Sequence, residues 1–408
     1  MKNRSSPRYK WYILTLGVIT HAFVVAMPQM CMPVLFKEIS GELGLDLVQV
    51  GVVWGMISLP SLFAAFGTGL IADRFGSSRT LGVCCLLQGI AGALRGVSGD
   101  YTSLAAFMFL FGLFGVPLAF ATHKAAGEWF SGRQLGLANG ILAMGVGAGS
   151  MLGSLTSATV LAPMLGGWRN LMFVFGALAV LIGFLWLKAR RYPEDAAGRA
   201  NTVPFRQALT RVIRLRDVWL LALFQMFIAG YSGGLIGYLP LYLRSIGWPA
   251  AGADSALATF SAASVVVVVP LSLLSDRIGL RKAVLYPALA SAIIGISLLA
   301  AFSGGVVWLA VIMAGIVQEA FFALSITLLM ETQGVGAVYS GTALGLCGTL
   351  AGLGGFFAPP IGNKLAEINP SFAFIFWLAL LVAALLTFSF IRETGWKKRE
   401  NLAGTTPG

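Results

Sequence analysis

The sequence predicts an all-α membrane protein of twelve transmembrane helices arranged as two six-helix halves. Three observations predict it. First, 57% of the 408 residues are hydrophobic and 11% are charged, far from the balance of a soluble domain. Second, the apolar residues fall in blocks of about 20, the length of helix that crosses a hydrocarbon core. They lack the two-residue alternation of a membrane barrel, the other structure that satisfies its backbone in lipid. Third, a long unit occurs twice in the same orientation. Gly69–Arg79 (G-L-I-A-D-R-F-G-S-S-R) returns as Ser272–Lys282 (S-L-L-S-D-R-I-G-L-R-K). One offset of 203 residues carries Asp73 onto Asp276, Arg74 onto Arg277, Gly76 onto Gly279, Arg79 onto Lys282, Glu128 onto Glu331, Gly145 onto Gly348 and Gly149 onto Gly352.

The spans follow in order at 11–35, 48–72, 80–97, 103–127, 134–158, 170–189, 217–243, 253–275, 283–302, 306–330, 341–363 and 370–392. The first opens on Trp11, an interfacial aromatic, and carries His21, Pro28 and Pro33. The second is rich in small residues up to Phe66-Gly67-Thr68-Gly69. The third ends at Arg95, expected to snorkel to the outer surface. The fourth holds Pro117, His123 and Lys124 and ends at Glu128. The fifth is a glycine run (Gly136, Gly140, Gly145, Gly147, Gly149, Gly153) that reads as close helix packing. The sixth opens on Trp168 and Arg169. Residues 190–216 form a polar linker in which Val203–Arg214 has the pattern of an amphipathic surface helix. The seventh span carries Gln225, Tyr231, Tyr238 and Pro240, the eighth the branched run Val265–Val269, the tenth Gln318 and Glu319, and the eleventh Gly354, Gly355, Pro359 and Pro360. The expected domains are therefore 1–189, the linker 190–216, a second half 217–392 and a tail 393–408.

Charge sets the orientation. With the amino terminus in the cytoplasm, 22 lysines and arginines fall on the cytoplasmic side and 5 outside, with Lys124 inside a span. This satisfies the positive-inside rule and places both termini in the cytoplasm of a multi-pass cell-membrane protein. The net charge of +12 is thus a topology signal and gives no reason to propose nucleic acid. The first apolar run is too long for a signal peptide's core. Cys31, Cys84, Cys85 and Cys347 lie inside spans without metal-ligand spacing, so neither a metal nor a cofactor is expected. No phosphate-binding G-x-x-x-x-G-K-[ST] occurs. The chain reads as a carrier, not an enzyme.

Charge within a span is costly, so it faces a cavity or a partner. Of sixteen acids, only Glu319 sits deep in a span, twelve residues before Glu331, about 18 Å along the helix at 1.5 Å per residue. Its repeat equivalent is Val116, so the shared scaffold does not demand it. His21, whose equivalent is Phe224, and His123 are also intramembrane. Each has a plainer reading. Glu319 and His21 can be hydrogen-bonded packing residues, and Lys124 can pair with Glu128 at i+4. His123 and Lys124, being adjacent, point about 100° apart. Tyr231, Tyr238 and Gln225 can serve as amphipathic packers. Gln88 and Asn139 are mid-span polar residues outside this pattern.

The repeated loop resembles the major facilitator superfamily, whose signature G-x-x-x-D-R-x-G-x-R-[RK] joins the second and third helices of each half. Here Ser78 stands at the penultimate position of the first copy, and Ser272 replaces the leading glycine of the second. Trp129–Gly140 (W-F-S-G-R-Q-L-G-L-A-N-G) and Gly166–Phe173 (G-G-W-R-N-L-M-F) are similar to organic-anion and monocarboxylate carriers of that superfamily. The resemblance implies a central cavity lined by the first, fourth, seventh and tenth helices. These carry His21, His123, Lys124, Gln225, Tyr231, Tyr238, Gln318 and Glu319. It also implies a cytoplasmic gate network of Asp73, Arg74, Arg79 and Glu128, matched by Asp276, Arg277, Lys282 and Glu331. Three cationic candidates in the first half suggest an anion, and Glu319 a proton carrier. The expected function is proton-coupled movement of a small, monocarboxylate-like organic anion by a monomer in the bilayer. The competing expectation is a proton-coupled exporter of cationic or amphipathic drugs. The absence of a Gly-Pro pair in the fifth span argues against it.

Overall fold

The structure is a computed structural model describing residues 7–64, 75–130, 133–189, 205–316 and 318–394. Every regular element among them is helical. Ten helices are long and apolar enough to cross a membrane, where twelve were expected. The other two expected spans, 48–72 and 306–330, run over residues outside the described set. We number the helices α1 (Tyr9–Leu43), α2 (Leu47–Gly55), α3 (Ser77–Val97), α4 (Tyr101–Trp129), α5 (Gln134–Met164) and α6 (Trp168–Lys188). They continue with α7 (Phe205–Val212), α8 (Arg216–Ser245), α9 (Ala250–Ile278), α10 (Arg281–Ala301), α11 (Val306–Gly315), α12 (Gln318–Glu331), α13 (Gly336–Ile368) and α14 (Pro370–Ser389).

Local chemistry sets the helix starts. Asp46 accepts from the Gln49 amide at 2.7 Å while Gln49 Oε1 accepts from the Asp46 amide at 3.0 Å, a reciprocal cap for α2. Asp100 and Ser103 repeat it at α4. Asn369 caps α14, with Pro370 at the first helical position, where its missing N–H costs nothing. Each such cap contributes about 1 kcal/mol.

The chain divides into two compact units, Met1–Ala200 with Leu239–Ala258, and Asn201–Tyr238 with Thr259–Gly408. In the first, the glycine run of α5 lies against α1 as its sequence suggested. A Cβ added at Gly145, Gly149 or Gly153 would fall 3.0, 2.5 or 2.8 Å from the carbonyl oxygens of Val18, Ala22 and Met27. The glycines step by four and four; their partners on α1 step by four and then five. The extra residue is absorbed by a π-helical segment, Thr20–Ala26, in the middle of α1. Ile13, Leu16, Leu81, Leu118, Ile182 and Trp186 form the core around it. Trp186 Nε1 donates to Thr20 Oγ1 at 2.8 Å, and that hydroxyl donates to the Leu16 carbonyl at 2.8 Å.

Arg95 departs from expectation. It does not reach the surface but is fully buried. It donates to the carbonyls of Gly92 and Pro28 at 3.2 and 3.0 Å and lies 4.1 Å over the Phe111 ring. Carbonyl dipoles and an aromatic face replace its hydration. Arg244 is likewise buried, with Asp254 at 3.0 Å and Glu38 at 2.7 Å. Arg169 holds Glu42 at 2.8 Å and the carbonyls of Gly96 and Ser98.

In the second unit, the Phe224 ring meets those of Phe321 and Phe388 at a tilt, each centroid 5.2 Å from its own. Gly354 lets α13 approach the Met226 carbonyl of α8, the counterpart of the α5–α1 contact. The linker segment forms α7, whose buried Ala208 and Val212 form its apolar side. The helix lies against α13.

Candidate functional site

The first unit brings two of the polar candidates, His21 and His123, together. The π-helical segment of α1 presents His21, and such wide turns recur at functional sites. His21 is buried, and its ring nitrogens make no hydrogen bond of good geometry among the described residues, with the Leu142 backbone of α5 beside the ring. Its ring meets that of His123, from α4, edge to face at a centroid distance of 5.5 Å. His123 is exposed, and its Nδ1 lies 3.0 Å from Asn139 Oδ1 on α5. The sequence set Asn139 aside as an exception; its signal was a lone amide in a glycine-rich apolar span. Lys124 is half-buried on the same helix. Two imidazoles, one of them held by a carboxamide, make a site of hydrogen-bond donors suited to an oxyanion.

The second-unit candidates are dispersed in their roles. Tyr231 is fully buried and its hydroxyl donates to the Ala314 carbonyl at 3.0 Å, tying α8 to α11. Tyr238 packs against Phe374 and Trp377 at 5.9 and 5.7 Å. Gln225 is half-buried on α8. Gln318 Oε1 is buried without a partner among the described residues. Glu319 is on α12, and its side chain lies outside the described set.

The signature loops are partly described. Asp73 and Arg74 lie outside the described residues, as does the side chain of Asp276. Glu128 accepts a hydrogen bond from the Ser77 hydroxyl, and Arg79 is exposed. In the second copy Arg281 pairs with Glu331 at 3.2 Å and donates to Ser275 Oγ at 3.1 Å. Thr394 Oγ1 donates to Glu331 at 2.9 Å. Glu393 accepts from the amides of Arg281 and Lys282 at 2.8 and 3.0 Å, capping α10. Lys282 Nζ donates to the carbonyls of Ser389 and Ile391, and Arg277 is exposed. Sequence reasoning missed Arg281 and Glu393; Arg281 stands where the signature motif has its penultimate arginine.

Comparison with known proteins agrees with this architecture. The family model described as Major Facilitator Superfamily matches residues 18–340 and again 244–406. A probable sulfoacetate transporter of Cupriavidus necator is 29% identical over 427 residues, covering 96% of this chain and 95% of its own. A probable nitrate/nitrite antiporter of Thermus thermophilus is 28% identical over 359 residues, covering 80% and 79%. The fold matches a crystal structure of a bacterial homologue of the human lysosomal transporter Spinster. That match has a TM-score of 0.72 and 16% identity, and covers 95% of this chain and 97% of that one.

Proposed function

The chain belongs to the Major Facilitator Superfamily, and from that premise we propose that it is a secondary transporter of a small organic anion. It works as a monomer of twelve helices whose halves, 1–189 and 217–392, alternate access to a site near the bilayer midplane. Both termini are cytoplasmic. The observation that carries the reading is the meeting of His21 and His123 at 5.5 Å. They are the chain's two histidines, brought together from different helices, with Lys124 next in sequence to one of them. A carboxylate gains charge-assisted hydrogen bonds from such a group. Two relatives whose names specify anions, sulfoacetate and nitrate or nitrite, support the same sign of charge. The substrate is monocarboxylate-like.

Transport is coupled to protons, and Glu319 is the carrier. A carboxyl so deep in a span is costly as an ion and inexpensive when protonated. Asp73, Arg74, Arg79 and Glu128, with Asp276, Arg277, Lys282 and Glu331, form the cytoplasmic gate. Ion pairs at one face bias a two-state equilibrium because they must break for the switch.

The test is a pH dye sealed in liposomes carrying the purified protein, challenged with a panel of small carboxylates. Acidification that follows one carboxylate and is lost in E319Q is the expected result. An E319Q protein that still accumulates the anion against its gradient removes Glu319 from coupling. A wild-type protein that moves no anion overturns the reading.

A further inference from the structure

We propose that Asn139 is a positioning residue that holds His123 in one tautomer, so that His123 Nε2 and His21 together take a single oxyanion group of the substrate, a carboxylate or sulfonate. The inference rests on the organic-anion reading and names how that anion is held.

The geometry begins with the 3.0 Å contact between His123 Nδ1 and Asn139 Oδ1. A carboxamide oxygen only accepts, so Nδ1 must carry the hydrogen. This leaves Nε2 as the nitrogen with no assigned partner in that contact. It is also the nitrogen that takes a second proton when the ring becomes an imidazolium. The imidazolium's Nε2–H is then a charge-assisted donor to an oxyanion. The anion and the imidazolium form a neutral pair, the arrangement that a membrane interior tolerates best. Without Asn139 the ring is free to carry its hydrogen on either nitrogen, and the side offered to the ligand is no longer fixed.

His21 supplies the second arm. A buried polar side chain left without partners costs about 1–3 kcal/mol, yet neither of its nitrogens makes a well-formed hydrogen bond among the described residues, the Leu142 backbone being the group beside the ring. Its ring stands against His123. A group with two acceptor oxygens placed at this pair gives both imidazoles a partner. The titratable group facing His123 from α1 is His21. On α4 itself the neighbours are Lys124, about 100° around the helix, and Glu128, which the Ser77 hydroxyl engages. From α5 the facing group is Asn139, which does not titrate.

Because the chain holds two histidines, nitrogen-15 labelling of histidine reports on the pair alone. The full-length protein in nanodiscs would be examined by NMR with sulfoacetate and acetate as probes. In the wild type the neutral His123 ring should show hydrogen on Nδ1, and a probe should move its Nε2 resonance toward the protonated form. In N139L the hydrogen should pass to Nε2 and the probe shift should vanish. N139D, which keeps an acceptor oxygen, should restore the tautomer. In uptake, N139L should raise KM about tenfold, the loss of one good hydrogen bond, with kcat changed less than about twofold.

A wild-type His123 with its neutral hydrogen on Nε2 overturns the inference whatever transport shows. So does an unchanged KM in N139L when the tautomer has switched, and this leaves the organic-anion reading standing. Wild-type protein that shows the Nδ1–H tautomer but responds to neither probe also overturns it. If that protein moves no anion at all, the functional reading falls as well.

Discussion

The two signature loops each turn at a glycine of positive φ, and among the described residues their acids are engaged differently. At the common offset, Gly76 faces Gly279 and Glu128 faces Glu331. Both glycines adopt positive φ, +80° and +69°, a region where an L side chain is strained. The turn is therefore preserved by the same requirement in both copies. The electrostatics are not. Ser78 stands opposite Arg281. In the second copy that arginine pairs with Glu331, and Thr394 and Glu393 extend the cluster. In the first, the partner of Glu128 among the described residues is the neutral hydroxyl of Ser77. The glycine bend and the Arg281–Glu331 pair are therefore properties that mutation can separate.

Removing the second copy's pair should have the largest effect. R281A leaves Glu331 partly buried (21% side-chain exposure) with its charge uncompensated. The expected loss is about 3 kcal/mol, the low end for breaking a buried pair. Thermal unfolding in detergent would show it as a fall in Tm well beyond that of S78A. Next, G76A and G279A should each cost about 1–2 kcal/mol, the penalty for a side chain at left-handed φ. The two effects should match, and a large difference between them would show that the loops do not share their turn. The gain-of-charge variant S78R brings an arginine to a buried position within reach of Glu128, and pairing there should offset the cost of fitting it to within about 1 kcal/mol. If the loop is the proposed gate, S78R should also slow uptake, because a further ion pair must break at each cycle. A destabilised S78R would mean that the surroundings of Ser78 have closed around the smaller side chain. The smallest effect belongs to E128Q. Its amide oxygen still accepts from Ser77, so the stability should change by less than about 0.5 kcal/mol.

Much of this molecule is legible in its sequence. Hydropathy places the spans because lipid permits few alternatives. The glycines of α5 read as a packing face because small residues have little other use in a span. The carbonyls of Val18, Ala22 and Met27 occupy the space they leave. His21 and His123 stood out for lying in apolar surroundings. That they touch was not legible, because 102 residues separate them and no periodicity encodes a contact between helices. Arg95 was misread because a span-end arginine next to water and one folded onto Pro28 and Phe111 have the same sequence signature. The Glu393 cap on α10, 112 residues away, is invisible for the same reason. Asn139 had a signal, a solitary amide among glycines and alanines, but its meaning depends on the ring 3.0 Å away.

The π-helical segment of α1 acts as a phase setter. One residue added to a helix turns everything beyond it by about 100° relative to an uninterrupted α-helix. The residues past Ala26 therefore keep step with the glycines of α5 only because the wide turn is there. Glu38 and Glu42, at the far end of α1, inherit that rotation on their way to Arg244 and Arg169. Deleting a single residue between His21 and Ala26 would leave His21 beside His123 while swinging both acids off their arginines. A local irregularity seven residues long thus sets the angular register between the histidine pair and the ion pairs at the far end of the same helix.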